Sequence, residues 1–295
     1  MASQNHAPGG IYRCRLGQVE LAFAQAGPAD GELVILLHGF PEYAGAWLRQ
    51  MAALSQAGFH AVAPDQRGYG RSSKPPAIAD YDLDKLADDV IGLASHLGHR
   101  IFSLVGHDWG ALVAWWVATR EPSALRRVVA INAPHPSVWR EGMAHNWRQW
   151  IRSSYVRMMR IPRLPEFLCG RDDYKAFRQA LAPAKLSPAE LDRYRDAWSQ
   201  PGAVTGMINW YRAFQQKRLP PAAGITVDVP TLIIWGDRDR YLMTHLADTS
   251  ARMCRDARVV HIPECTHWVQ HEQPDRVSRL IVEFLSEPRR PPPVA

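Results

Sequence analysis

Asp108 stands between Gly106 and Gly110, directly after the apolar run Ile101–Val105 and directly before the helical stretch Trp109–Arg120. Small residues on either side of a strand-to-helix turn let the chain reverse sharply and expose one side chain, and a carboxylate at that apex is placed to act as a nucleophile. Three further apolar runs end in polar groups. Leu33–Leu37 is followed by His38, Gly39, Phe40, Pro41 and Glu42, where the backbone N–H of Phe40 can face the turn and pair with that of Trp109 to hold an oxyanion. Pro230–Trp235 is followed by Gly236, Asp237, Arg238 and Asp239, and Arg258–Ile262 by a loop that carries His267 before Trp268. Each group has an ordinary reading alone: Asp108 as a helix N-cap, Asp237 or Asp239 as a turn residue, His267 as a core histidine. Together they run carboxylate, carboxylate, histidine along successive strand ends, the order needed for a nucleophile, an orienting acid and a base.

The elements that must position these groups follow from the apolar pattern. Two short antiparallel stretches, Tyr12–Arg15 and Val19–Gln25, precede the run Leu33–Leu37, which is apolar on both faces and so reads as an interior strand of a parallel sheet. Helix is expected over about Ala44–Gln56, Leu83–Leu97 and Trp109–Arg120, and strand over Phe59–Ala63, Ile101–Val105 and Val128–Ile131. This alternation predicts an α/β layer fold with right-handed crossovers, in which functional groups gather at the carboxyl ends of the strands. The rhythm stops between about Pro136 and Pro220, where only aromatic- and Arg-rich helical segments are found, one of them opened by a capping box of Ser187, Pro188 and Glu190. It resumes with Pro230–Trp235 and Arg258–Ile262, and the last helix ends near Leu285. The expected organisation is a core over 1–135 and 222–287, an all-helical insert over 136–221, and a disordered tail over 288–295 with three successive prolines.

Composition bounds the function. With 295 residues, 46% hydrophobic and 22% charged, the chain can bury a large core. No run approaches the roughly 18 apolar residues of a membrane span, and the polar start MASQNHAPGG lacks the layout of a secretory signal, so a cytosolic location is expected. The formal charge of +6 comes from 30 Arg and five Lys spread among 29 acids rather than from a block, which argues against nucleic acid and points to a base-composition bias, as in a bacterial source. Cys14, Cys169, Cys254 and Cys265 form no CxxC pair and have no histidine at zinc-ligand spacing; they read as free thiols, with no metal.

The stretches HGFPE (His38–Glu42), DQRGYGRSSKP (Asp65–Pro75) and GHDWG (Gly106–Gly110) resemble those of the α/β-hydrolase fold, and within it the soluble epoxide hydrolases, over nearly the whole chain from Leu33 to Leu285. An aspartate at the turn differs from the serine of esterases and lipases. The resemblance implies that the insert is a helical cap, and that two cap tyrosines bind the epoxide oxygen. Tyr211 lies in the matching motif Asn209-Trp210-Tyr211-Arg212, and Tyr155 precedes a Pro-rich turn in SSYVRMMRIPRLPE. It also implies that Asp239, three residues after the strand-end glycine, orients His267, with Asp237 as the alternative. Thr266 departs from the glycine expected before the histidine. Trp109, with Trp147, Trp150 and Trp210, is expected to wall an apolar pocket, and the cap arginines to form its solvated outside.

The implied reaction is conversion of a small apolar epoxide and water to a diol through an ester of Asp108, without a cofactor, nucleic acid or membrane; a homodimer is compatible with such a chain. A dehalogenase of the same fold also uses an aspartate and a histidine, but its halide leaving group needs N–H donors rather than tyrosine acids. A non-catalytic ligand-binding member would lack one of Gly39, Asp108, Asp239 or His267, and all four are present.

Overall fold

The computed structural model describes residues 10–288 together with Asn5–His6. In chain order the elements are β1 (Asn5–His6), β2 (Tyr12–Leu16), β3 (Val19–Pro28), β4 (Leu33–Leu37), α1 (Leu48–Gln56), β5 (His60–Pro64), α2 (Leu83–His96), β6 (Phe102–His107), α3 (Trp109–Arg120) and β7 (Leu125–Ile131). Six helices follow without a strand: α4 (Pro136–His145), α5 (Trp147–Arg152), α6 (Ser154–Met158), α7 (Leu164–Ala180), α8 (Pro188–Ser199) and α9 (Ala203–Gln216). The chain ends with β8 (Thr231–Gly236), α10 (His245–Ala251), β9 (Ala257–Ile262), α11 (Val269–Glu272) and α12 (Pro274–Ser286).

The strands form one sheet in the order β1-β3-β5-β4-β6-β7-β8-β9, with β2 on β3. Pairing is parallel from β5 through β9 and antiparallel for the first three strands. This is the α/β-hydrolase arrangement, a mostly parallel sheet between helical layers. The period-2 geometry of β4 decides which residue faces which layer. Leu33, Ile35 and Leu37 pack with Trp109 and Trp115 on one face, while Val34 and Leu36 pack with Trp47 and Ile281 on the other. Several expected edges shift: Ile101 is exposed and lies outside β6, β3 runs on to Pro28 rather than ending at Gln25, α1 begins at Leu48 after a 3-10 turn over Ala44–Trp47, and β7 begins at Leu125 rather than Val128, pairing with Phe102 there.

The helical insert between β7 and β8 is seated on the core by aromatic rings. Its last helix, α9, buries Met207, Ile208, Trp210, Tyr211 and Phe214. The Trp109 ring meets Trp210, Tyr211 and Phe214 edge-on at centroid distances of 5.9, 4.8 and 5.5 Å, and Trp139 of α4 at 5.7 Å. Such pairs are worth about 0.5–1.5 kcal/mol each beyond the area they bury. Trp198 Nε1–H donates to the Pro41 carbonyl at 2.6 Å and Trp210 Nε1–H to that of Arg67 at 2.8 Å, so insert and core are also joined by buried hydrogen bonds. The capping box at Ser187 and Glu190 is formed. Helix α7 is not continuous: Asp172, Asp173 and Tyr174 adopt left-handed φ values of 53°, 55° and 54° and break it in two.

Cys14, Cys169 and Cys265 are buried, Cys254 is half-buried, and all four are free thiols. Among the described residues no helix is long and apolar enough to cross a membrane, and no cluster of three or more His, Cys, Asp or Glu side chains is arranged to hold a metal ion. The tail beyond Pro288 lies outside the described residues.

Candidate active site

Asp108 occupies the turn between β6 and α3 at φ 49° and ψ −120°, a conformation that throws its carboxylate off the end of the sheet. The turn is possible because Gly110 has no side chain: a Cβ there would stand 2.1 Å from the Leu37 carbonyl oxygen. Gly39 on the neighbouring strand end has a similar reason, since its Cβ would fall 2.5 Å from that of Asp108. The close approach lets the Phe40 N–H donate to Asp108 Oδ1 at 2.9 Å. The N–H of Trp109 opens α3, where the first amides of a helix have no intrahelical acceptor.

His267 stands on the other side of Asp108. Its Nδ1 meets Asp239 Oδ2 at 2.6 Å, and its Nε2 lies 3.5 Å from Asp108 Oδ2. Asp239 is fully enclosed and accepts hydrogen bonds from the backbone N–H groups of Tyr241 (2.7 Å) and Leu242 (3.0 Å) and from Asn132 Nδ2 (2.8 Å). Burial by itself would push this carboxyl up, but His267 beside it, with the donors from Asn132 and Tyr241, holds it below the usual range. For His267 burial disfavours the charge, yet the carboxylates of Asp239 and Asp108 together raise it well above the ordinary imidazole value. Asp237, the alternative acid, is not at the site: it bonds to His261 of β9 at 2.7 Å.

Tyr155 and Tyr211 project from α6 and α9 into the same cavity of about 510 Å³ that Asp108 and His267 line, with ring centroids 6.0 Å apart. Burial, reinforced for each by the Asp108 charge, pushes both hydroxyls well above the ordinary phenol value, so they remain protonated proton donors at neutral pH. None of the four expected tryptophans is in the lining of this cavity, Trp109 lying instead along a small adjoining pocket beside Asp108 and Tyr155. Trp147 and Trp150 are 67% and 46% exposed on the outside of α5, and Trp210 is spent on the seat of the insert against Tyr69. The cavity is walled instead by Phe40, Phe177, Met158, Met159, Tyr241 and Trp268. Not every arginine of the insert is solvated either: Arg212 of the NWYR motif is nearly buried, paired with Glu166 at 2.6 Å and donating to the Met159 carbonyl. Thr266, in place of a glycine, ties its loop down through its N–H to Glu272 at 3.2 Å and through its hydroxyl to the same carboxylate.

Several contributors went unnoticed in the sequence. Asn132 at the end of β7 bridges the Gly236 N–H and Asp239, fixing the acid to a neighbouring strand. It could have been found by inspecting this strand end as the other four were. Tyr241 lies edge-on to the His267 ring at 5.1 Å. Glu42 is buried beneath the site and meets His107 Nδ1 at 2.8 Å and His271 Nε2 at 2.7 Å, while His107 Nε2 reaches the His267 carbonyl at 2.9 Å. Burial would raise Glu42, but His107 and His271 hold it well below 4.5. A carboxyl depressed in the folded state stabilises the protein above its unfolded value and loses that contribution as pH falls through the folded one. Glu42→Gln is therefore expected to lose roughly 1–3 kcal/mol of stability at pH 7, where it weakens the buried hydrogen bonds to both histidines. In thermal unfolding scans the gap between the two proteins should narrow as the pH falls below about 4.5; a gap independent of pH would refute this.

The family described as alpha/beta hydrolase fold matches residues 32–274. The AB hydrolase superfamily protein YfhM of Bacillus subtilis is 40% identical over 271 residues, covering 90% of this chain and 94% of its own. Epoxide hydrolase 4 of Mus musculus is 34% identical over 278 residues, 91% of this chain and 77% of its own. The crystal structure of the Bacillus megaterium epoxide hydrolase in complex with an inhibitor superimposes with a TM-score of 0.86 at 29% identity, over 94% of this chain and 100% of that one. The fold and the site thus define a hydrolase of the α/β class. The chain belongs to the epoxide hydrolase family within the α/β hydrolases.

Proposed function

We propose that the protein hydrolyses an apolar epoxide to a vicinal diol in two covalent steps. Asp108 Oδ2, the oxygen facing away from the Phe40 N–H, attacks an epoxide carbon, and the carbon–oxygen bond breaks with its electron pair passing to the ring oxygen. That oxygen takes a proton from Tyr155 or Tyr211, whose buried hydroxyls are matched to a strongly basic leaving group. Esterification removes the charge of Asp108, one of the two anions that favour the protonated form of His267, so the imidazole gives its proton to the tyrosinate left by ring opening, restoring the tyrosine, and becomes a base. His267 then takes a proton from water, and the hydroxide attacks Asp108 Cγ. The negative charge on Oδ1 is received by the N–H groups of Phe40 and Trp109. Collapse breaks the Cγ–Oδ2 bond; His267 returns a proton to the departing diol, and the new carboxyl gives its own to His267, restoring the Asp108 carboxylate and the protonated imidazole.

The observation that carries this reading is that Asp108, His267, Tyr155 and Tyr211 line one cavity of about 510 Å³ whose walls are largely apolar. The scheme makes a sharp isotopic prediction. In a single turnover of an aryl epoxide in oxygen-18 water, the first diol is expected to be unlabelled and the label to appear on Asp108 in the peptide mass spectrum. Label in that first diol would mean direct attack by water and would remove the covalent scheme.

A further inference from the structure

Large hydrophobic side chains on the surface are concentrated in one place. Among the described residues eight are exposed, and six of them, Trp147, Trp150, Ile151, Ile161, Leu164 and Phe167, fall within one short run through α5, α6 and the start of α7. Trp147, Trp150 and Ile151 recur at the spacing of one helix face, as do Leu164 and Phe167, and each of these side chains is left between 39% and 67% exposed. Isolated exposed apolar residues need no explanation, but a cluster of this kind marks an interaction site.

The charge of the same run identifies the occupant. Residues 146–171 contain six arginines and one acid, Glu166, which is already paired with Arg212, in a chain whose whole excess is +6. Read along the sequence the arginines look dispersed; folded, this run keeps Arg148, Arg157, Arg160 and Arg163 exposed around the apolar residues. The guanidinium groups of Arg148, Arg157 and Arg171 lie over the rings of Trp147, Trp150 and Phe167 at 5.3, 5.3 and 5.9 Å. The acids that follow, Asp172 and Asp173, are engaged with Arg171, Arg178 and Arg195. Indole, phenyl and branched aliphatic groups ringed by arginine suit the interface of an anionic bilayer, where the rings enter the headgroup layer and the cations meet phosphate. A second copy of this chain would bring like charge against like.

We propose that the outer face of residues 147–167 docks the protein on anionic lipid surfaces. The inner side of the same run, through Tyr155, Met158, Met159 and Leu168, lines the reaction cavity. Docking therefore brings the wall of that cavity to the phase in which an apolar substrate dissolves. That consequence rests on the epoxide reading, but the docking itself does not.

Co-sedimentation with phosphatidylcholine vesicles, with and without phosphatidylglycerol, tests it without any turnover. Wild-type protein is expected to sediment only with the anionic vesicles and to be released by high salt, which screens exposed charge. The triple variant Arg148→Glu, Arg157→Glu, Arg160→Glu should bind about a hundredfold more weakly. The triple variant Trp147→Ser, Trp150→Ser, Phe167→Ser should lose binding with an unchanged Tm, since all three side chains are on the outside. Absence of wild-type binding, equal binding to neutral vesicles, or variants that bind like wild type would overturn the proposal. So would a wild-type dimer in solution that the aromatic variant converts to monomer, since the face would then belong to a second copy.

Discussion

The His267→Gln variant is expected to consume one equivalent of an aryl epoxide per site in a rapid burst and then stop, with the substrate mass retained on the peptide containing Asp108. The expectation follows from the division of labour at the site. Attack by Asp108 needs no base, because its carboxylate is already the nucleophile and its Oδ1 is held at 2.9 Å by the Phe40 N–H. Hydrolysis of the ester does need one, and His267 Nε2, 3.5 Å from Asp108 Oδ2, is the base within reach of that carbon. Removing a positioned general base costs roughly 10²–10⁴ in the step it serves, so steady-state turnover should fall by that factor while the burst survives. Mass spectrometry of the digested protein reads the adduct directly; a variant that loses turnover without accumulating ester would show that His267 acts before the covalent step.

The second large effect belongs to the tyrosines. Tyr155→Phe or Tyr211→Phe alone leaves one hydroxyl for the ring oxygen, whereas the double variant leaves the alkoxide without a positioned tyrosine acid. Ring opening, measured as the pre-steady-state burst, is expected to fall by about 10²–10⁴ in the double variant and by less in either single one. The rings are 6.0 Å apart and packed against Phe40, Trp109 and Tyr241, so loss of two hydroxyl groups should not reshape the pocket. An unimpaired burst, combined with rapid halide release from a haloalkane, would move the assignment to dehalogenation, in which no proton donor is required.

The legibility of this molecule in its sequence depended on where each residue sits. β4, β6 and β8 are buried on both faces, so their apolar runs were unmistakable, and the groups at their ends followed from the geometry of parallel sheets. Asp108 and the pair Asp237 and Asp239 were singled out in this way and His267 by the loop after β9, whereas the choice of Asp239, like that of Tyr155 and Tyr211, came from the family resemblance. The insert was harder, because hydrophobicity states that a side chain prefers to be covered and not by what. Trp210 is covered by the core, while Trp147 and Trp150 are left 67% and 46% exposed. The left-handed residues Asp172–Tyr174 carry no glycine to announce a break, and the short helices α5 and α6 have too few turns to show a period. Asn132 was missed for a different reason: its pair of hydrogen bonds across to the next strand end leaves no mark in the apolar pattern, and only its position directly after β7 points to it.

The ring of Trp109 has two employers. Its residue directly follows Asp108, and its indole is the seat on which Trp139, Trp210, Tyr211 and Phe214 of the insert rest. An insert grafted from a relative to change the range of substrates would arrive without the surface shaped to that indole, and would tilt the tyrosine-bearing helix relative to Asp108. The transplantable unit is accordingly larger than the insert: it includes Trp109, and a chimera that matches this one position to its donor should keep activity that a cut at the strand ends alone would forfeit.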